Sequence, residues 1–398
     1  MKVGWLEREY EGFLQFKSGL EESNGSLAYL KSLPHGNVHH YWAEERRVVN
    51  FSTYDYLGLG ENEEVREYAK TCIDRYGVST SASRLVSGQL DIHHELEEAL
   101  TAFLGTEETI TFVSGHATNV MTLGYLFGPE DLLICDQYAH NSIEIGAKLS
   151  GGEVRRFRHN DVGELEAILA EAGTGRRVVV CIEGLYSMDG DLPPLPEILA
   201  LKRRFGFVLY VDEAHSIGTV GATGRGVTEH FGVDIGEIDV LMGTLSKTMG
   251  SCGGFVSGTR ELIDYLRFSG PGFIFSTGLP GPAAGAALKA LQILRSHPEY
   301  VADLQRKSRL FSTKLLGGGT HQTPVIPLLV RHDWVNDFAL HCQQAGVRVF
   351  PISYPAVSRS ATRVRFFLSR LHTDAHLLEG ADVVNSVFDE FSAERSAS

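Results

Sequence analysis

Five short apolar runs limit what this chain can fold into: "TITFVSG" (109–115), "DLLICD" (131–136), "RRVVVCIEG" (176–184), "FGFVLYVDEAH" (205–215) and "IDVLMGTLSK" (238–247). Each is rich in aliphatic or β-branched residues, shows no polar alternation and closes on a polar or glycine-containing turn. A strand buried on one face alternates; a run that does not is buried on both. With longer amphipathic segments between them, the runs predict a mainly parallel sheet covered by helices, an α/β fold. In such sheets ligands bind outside the carboxyl ends of the strands, where these runs place their polar residues.

The pattern suggests a division of the chain. Residues 1–48 are mixed and charged, an N-terminal helix and linker; residues 49–290 form the large α/β domain. After "LPGPAAGAALKALQILRSHPEY" (279–300), read as a long helix, the strand-like "TPVIPLLV", "VRVFPI" and "TRVRFFLS" flank two helices. One shares a face through Val335, Phe338, Ala339 and Cys342, the other through Leu377, Ala381, Val384, Phe388 and Phe391. That spacing predicts a smaller α+β domain over 291–398.

"VDEAHSIGTVGATGRG" (211–226) carries a word with two meanings. Asp-Glu-Ala-His can be the acidic box of a nucleic-acid-stimulated ATPase, or an aspartate and a histidine at a strand end holding an aromatic cofactor. The ATPase needs a G-x-x-x-x-G-K-[ST] phosphate loop, and the sequence has no Gly-Lys dipeptide. With 36 basic against 50 acidic residues, a net charge of −14 and no basic block, a phosphate-backbone ligand is excluded as well. The five cysteines (Cys72, Cys135, Cys181, Cys252, Cys342) are scattered, which argues against a disulfide framework or zinc site and for a reducing compartment. The N-terminus is too charged for a signal peptide, and no apolar run nears the roughly 20 residues of a membrane span. The expectation is a cytoplasmic globular protein with no metal site.

The cofactor reading requires an aspartate for a pyridine nitrogen and a lysine for a Schiff base with pyridoxal phosphate. "GTLSKTMGSCGG" (243–254) supplies Lys247 at the end of the run that follows Asp212, among the hydroxyls of Thr244, Ser246 and Thr248. A lysine in a polar loop is ordinarily only a surface lysine, and an aspartate after a strand is often a helix N-cap. The pairing of Asp212, His215 and Lys247 is what points to chemistry.

Nine stretches in order carry a resemblance: "YDYLGLG", "SRLVSGQLDIHHELE", "FVSGHATN", "DQYAHNSIEIG", "EGLYSMDGD", "VDEAHSIGTVGATGRG", "GTLSKTMGSCGG", "FIFSTGLP" and "RVRFFLSRLHT". The chain resembles, over nearly its whole length, the α-oxoamine synthase family of fold-type I pyridoxal phosphate enzymes, which join an amino acid to an acyl thioester with loss of carbon dioxide. The resemblance implies a homodimer with a shared active site. It implies Lys247 as Schiff-base lysine and base, and Asp212 as partner of the pyridine nitrogen. His215 is implied at the cofactor's phenolic oxygen and His140 stacked on the ring. Ser114, Gly115 and His116 are implied at a helix start that takes the phosphate. Thr244 would add a hydroxyl, Thr277 one across the dimer interface, and Ser187 would sit near the phenolic oxygen; Ser187 and Thr277 read nearly as well as turn hydroxyls. Arg365 is implied as the grip on the substrate carboxylate, with Arg363 on the same strand face as rival.

The departures carry information too. His116 stands where the family usually has an aromatic residue, and His140-Asn141-Ser142 where many members read His-Ala-Ser, so that Asn141 is the departure. Tyr54-Asp55 is close to the Tyr-Asn of the serine palmitoyltransferase branch, as are "VRRFRHND" and "ASRLVSGQLD". The family's glycine-rich loop before Arg84, a substrate-side residue, reads "GVSTSASR". "SYPAVSRSATRVRFF" (353–367) resembles members attached to secondary-metabolite pathways, which favours a lipidic or carrier-protein-bound acyl donor. Glycine, alanine and serine all stay open as the amino acid, as does acyl-CoA against acyl-carrier protein. Another fold-type I reaction, an aminotransferase or β-hydroxy-amino-acid lyase, is the alternative. A catalytically inactive partner subunit is the non-enzymatic reading, and such subunits usually lack the lysine.

Overall fold

The computed structural model describes residues 4–22, 39–43, 46–173, 175–316, 319–354 and 357–396. In chain order it contains α1 (Gly4–Glu22), β1 (His40–Ala43), β2 (Arg46–Asn50), α2 (Glu63–Tyr76), α3 (Asp91–Leu104), β3 (Glu108–Phe112) and α4 (Gly115–Leu126). Next come β4 (Asp131–Asp136), α5 (Asn141–Leu149), β5 (Glu153–Phe157), β6 (Arg177–Glu183), β7 (Val208–Asp212), β8 (Val240–Thr244) and β9 (Gly254–Gly258), with helices between most of them. The last strands are β10 (Val325–Leu329), β11 (Val347–Arg348), β12 (Phe350–Ile352) and β13 (Arg363–Phe367). By its contacts the chain divides into two compact units, residues 54–305 and residues 1–53 with 306–398.

The larger unit is built on a seven-stranded sheet of order β3-β9-β8-β7-β6-β4-β5. The five apolar runs are its strands β3, β4, β6, β7 and β8. Neighbours from β5 to β8 pair parallel, and β9 pairs antiparallel with both β8 and β3, so six strands share one direction. Two strands of this sheet escaped the sequence reading, as did β1 and the start of β2 within the expected N-terminal linker. "EVRRF" (β5) is an edge strand with charged, partly exposed positions, and "GFVSG" (β9) is short and bracketed by glycine. Leu132, Leu133, Ile134, Val180, Cys181, Leu209 and Val211 are buried, as strands covered on both faces require. Because β4, β6, β7 and β8 run in step, Asp136, Glu183, Asp212 and Thr244 end side by side along one edge of the sheet.

The smaller unit draws on both ends of the chain. β1 pairs antiparallel with β2, and β2 parallel with β11; β13 lies antiparallel between β10 and β12. Phe51, just after β2, meets Phe311 and Phe366 at ring-centroid distances of 5.0 and 5.8 Å. The two C-terminal helices fall at Val335–Gln344 and Asp374–Ser396, and Phe388 and Phe391 of the second meet Trp334, at the N-cap of the first, and Phe338 within it. The sequence set residues 1–48 apart and opened the small domain at 291. The contacts instead group the N-terminal stretch through Thr53 with residues 306–398, because β2 finds its partner strand there. Residues 23–38 and 44–45 of the expected linker, and 355–356 of the "SYPAVSRSATRVRFF" stretch, lie outside the described residues. Among the described residues no helix is long and apolar enough to cross a membrane. The five cysteines are free, with Cys252 exposed and the others buried.

Candidate active site

The carboxyl edge of the large sheet opens into a cavity of about 300 Å³. Tyr54, Ser114, Gly115, His116, His140, Asp212, His215, Thr244 and Lys247, all anticipated from the sequence, line it, together with Glu183, Asn119 and Ser142. Asp212 and Lys247 thus face one small space, as an acid and an amine serving one heterocycle must.

Each side chain is set by the element below it. Asp212 ends β7; its Oδ1 accepts the Ala214 N–H at 2.9 Å and its Oδ2 an amide proton from Asn119 at 2.7 Å. Both oxygens therefore meet donors. His140 is the N-cap of α5, and its Nδ1 takes the Ser142 N–H at 3.3 Å and contacts the Ser142 hydroxyl at 2.7 Å. The Tyr56 hydroxyl meets His215 Nδ1 at 2.6 Å, while the Tyr54 ring lies edge-on 6.0 Å away. The Lys247 amine sits 5.9 Å from the centre of the Tyr54 ring, a cation against an aromatic face.

Ser114 caps α4 through a bond from the Ala117 N–H, so the first amides of a twelve-residue helix open onto the cavity. That is an anion site in the making. The sheet comes close to this helix start: a methyl on Gly115 would lie 2.6 Å from Thr244 Oγ1, and one on Gly254 2.7 Å from the Gly115 Cα. The Thr244 hydroxyl donates to the Gly253 carbonyl at 3.0 Å, which holds the turn that carries Lys247.

Three groups that line the cavity, Glu183, Asn119 and Ser142, were missed. Glu183 is buried, and the Asp212 charge reinforces what burial does, pushing its carboxyl well above the ordinary range against Lys247 and the amides of His140 and Ser187. Its Oε1 has no hydrogen-bond partner and lines the cavity. Asn119 and Ser142 lie inside quoted motifs, but nothing in one-dimensional spacing shows that α4 and α5 bring them together. Glu213, between Asp212 and His215, is pushed up to about 7 by burial, opposed by bonds from the Ser216 hydroxyl and the Val227 amide. It holds the loop after β7 rather than facing the cavity.

The remaining expectations fall elsewhere. Arg84 does not line the cavity: its guanidinium is buried, with Nη2 on Glu97 at 3.0 Å, Nη1 on Thr111 Oγ1 at 3.0 Å and Nε on Gln89 at 2.7 Å. Those partners engage it inside the fold, which departs from the substrate-side role. Asp55 accepts the Leu59 and Gly60 amides and closes a turn, so Tyr54 alone of that pair faces the cavity. Ser187 is buried beside the cavity and Thr277 is exposed. Arg363 and Arg365 belong to β13 of the other unit; Arg363 donates to the Ala361 carbonyl at 2.9 Å and Arg365 lies 4.8 Å over the Phe367 ring.

A mostly parallel sheet with a lysine, an aspartate and a helix start along its carboxyl edge defines a fold-type I transferase. The family model for aminotransferase class I and II matches residues 46–384. The chain is 37% identical over 356 residues to 8-amino-7-oxononanoate synthase of Fervidobacterium nodosum, covering 87% of this chain and 90% of that protein. It is 32% identical to serine palmitoyltransferase of Sphingobacterium spiritivorum, covering 94% of each. A high-resolution structure of SPT with PLP superposes with a TM-score of 0.91 at 27% identity, over 96% of this chain and 97% of that one. The chain belongs to the aminotransferase class I and II family and, within it, to the α-oxoamine synthases.

Proposed function

We propose that this chain is a pyridoxal phosphate-dependent acyltransferase that joins a small amino acid to an acyl thioester, releasing carbon dioxide and free thiol and leaving an α-amino ketone. The observation that carries the reading is the single cavity shared by Lys247, Asp212, His140, His215 and the start of α4. The donor set suits the cofactor: a helix start for the phosphate, a carboxylate for the ring nitrogen, an imidazole for the ring face and an amine for the aldehyde. The cofactor supplies an electron sink for charge developing at the substrate Cα.

The chain's own residues do the rest. Ser114, Gly115 and His116 hold the phosphate by amide and side-chain donors, with Thr244 shaping that end of the cavity. Asp212 would pair with the ring nitrogen, held in place by the Asn119 amide and the Ala214 N–H. Lys247 Nζ is the group that takes the Cα proton and later returns one. His215 would meet the phenolic oxygen and help position the incoming acyl carbonyl, and Ser187 would sit near that oxygen. Arg365, or its neighbour Arg363, grips the substrate carboxylate, and Tyr54 bounds the substrate side.

The active species is a cytoplasmic homodimer. Val86 and Phe275, 80% and 86% exposed in the large unit, are apolar surface that a second copy would cover, and Thr277 beside Phe275 is placed to be given across that interface. Serine, alanine and glycine are the amino acids to test, against acyl-CoA and acyl-carrier protein donors.

The test is a matrix of these amino acids and thioesters, scored by carbon dioxide release and product mass. Release only when both substrates are present supports condensation; amino-group transfer or aldehyde release from the amino acid alone favours an aminotransferase or lyase. Wild-type protein that takes up no PLP, or a Lys247→Ala variant that keeps both visible absorbance and turnover, defeats the assignment.

A further inference from the structure

Two buried groups, Asn119 and Ser142, join Asp212 to His140, and a third, Tyr210, holds Asn119. Asn119 on α4, Ser142 on α5 and Tyr210 on β7 are each at most 1% exposed. The Tyr210 hydroxyl lies 2.6 Å from Asn119 Oδ1; Asn119 Nδ2 lies 2.7 Å from Asp212 Oδ2 and 2.9 Å from Ser142 Oγ; Ser142 Oγ lies 2.7 Å from His140 Nδ1.

Hydrogen-bond directions follow from one fixed point. The Asp212 carboxylate can only accept, so the side of Asn119 that faces it must be the amino group. The amide oxygen then faces Tyr210, whose phenol must donate; burial, with Asp212 and Cys181 nearby, raises that phenol well above its ordinary range and keeps its proton on. The second Asn119 N–H goes to Ser142 Oγ, which accepts and spends its own proton on His140 Nδ1. The Ser142 backbone N–H points at the same nitrogen. With two donors aimed at it, Nδ1 must keep its lone pair. The ring proton of His140 therefore sits on Nε2, and a second proton has no place on Nδ1 unless a donor turns away.

We propose that Asn119, oriented by Tyr210 and acting through Ser142, is a positioning residue that locks His140 as the neutral Nε2–H imidazole and couples that state to the charge of Asp212. The coupling rests on the cofactor reading only for its purpose. A pyridine ring protonated beside Asp212 is a cation, and an imidazolium stacked on it would repel it, so the stacking ring must stay neutral. The other charged or titratable groups near His140 are Glu183 on β6, Lys247 after β8 and His116 on α4, whose ring centroid is 6.1 Å away.

The test begins on apoenzyme labelled with ring-¹⁵N histidine, the His140 signals being identified by their loss in His140→Gln. The wild type is expected to show an unprotonated Nδ1 and a protonated Nε2 throughout pH 5.5–8.5. Ser142→Ala removes one donor, and its His140 should mix tautomers and titrate within about one unit of 6.5. Equilibrium dialysis gives the second readout: PLP affinity of Ser142→Ala should drop about tenfold from pH 8 to pH 6, against less than twofold for wild type. Tyr210→Phe keeps the ring volume and tests the same relay one bond further away, should Ser142→Ala not fold. A wild-type His140 protonated on Nδ1, or a Tyr210→Phe spectrum and affinity indistinguishable from wild type, overturns the relay. Loss of PLP binding by the wild type would instead defeat the cofactor reading and leave the apoenzyme spectra to decide the relay.

Discussion

A single histidine shows how much of this molecule lies beyond its motifs. His159, in "RHND", reads in sequence only as a signature of one branch of the family. In the fold its Nδ1 meets Asp136 at 3.0 Å and its Nε2 meets Asp191 at 2.8 Å, tying the end of β4 to the loop that carries Ser187. Burial alone would lower its pKa, but the two carboxylates win and raise it to about 10. Because the folded value lies above the unfolded one, the cation's contribution is complete below about pH 6.5 and is lost as pH rises through about 10. His159→Gln leaves two carboxylates without their shared cation, and should cost about 3 kcal/mol at pH 6. Urea unfolding of both proteins at pH 6, 8 and 10 should show that gap shrinking; a gap constant with pH would count against the assignment.

Helix contacts decide what the residues can do. Asn119 reaches Ser142 because α4 and α5 cross at Gly146, where a methyl would lie 2.8 Å from the Asn119 carbonyl and 3.1 Å from the Val120 Cα. Backbone cannot yield as a flexible side chain can, so Gly146→Ala must push the helices apart. The expected cost is about 1–3 kcal/mol, with weaker PLP binding than the stability loss alone accounts for. Thermal denaturation paired with PLP titration at a temperature where both proteins are folded separates the two effects. Equal PLP affinity in variant and wild type would show that the crossing distance does not matter to the site.

Across the whole chain, closure depends on contacts between its ends. His372 is fully buried; its Nδ1 accepts the Ser369 N–H at 3.0 Å and its Nε2 meets the Asn50 carbonyl at 3.2 Å, joining the end of β2 to the segment after β13. His39, His40 and His376 lie around it. Burial, with His39 beside it, lowers His372 to about 3, and burial with His40 lowers His39 to about 4. A depressed histidine works opposite to His159: below about pH 6.5 the unfolded chain binds protons that the fold refuses, and stability is lost. Between pH 7 and pH 5 this costs about 2 kcal/mol for His372. His372→Gln should be less stable at pH 7 but lose less on acidification, measured as the change in unfolding free energy between the two pH values. A variant with the wild-type acid dependence would remove His372 from the account.

By itself the sequence determined five of the seven strands of the sheet, the class of chemistry and the residues at the strand ends. Apolar runs without alternation have one stable solution, a sheet covered on both faces, and Asp212 and Lys247 sit at strand ends whose side-by-side alignment that sheet imposes. Edge strand β5 and glycine-bracketed β9 stayed hidden, because solvent exposure and small residues erase the apolar signal. Only the tertiary structure could decide the grouping of the N-terminal strands with residues 306–398, the engagement of Arg84 by Glu97, and the roles of Asn119, Ser142, Glu183 and His159. Each of those depends on a partner on a separate element, at a distance set by how closely helices and strands pack. Local periodicity carries no information about that spacing, and it is the spacing that assigns each proton to its atom.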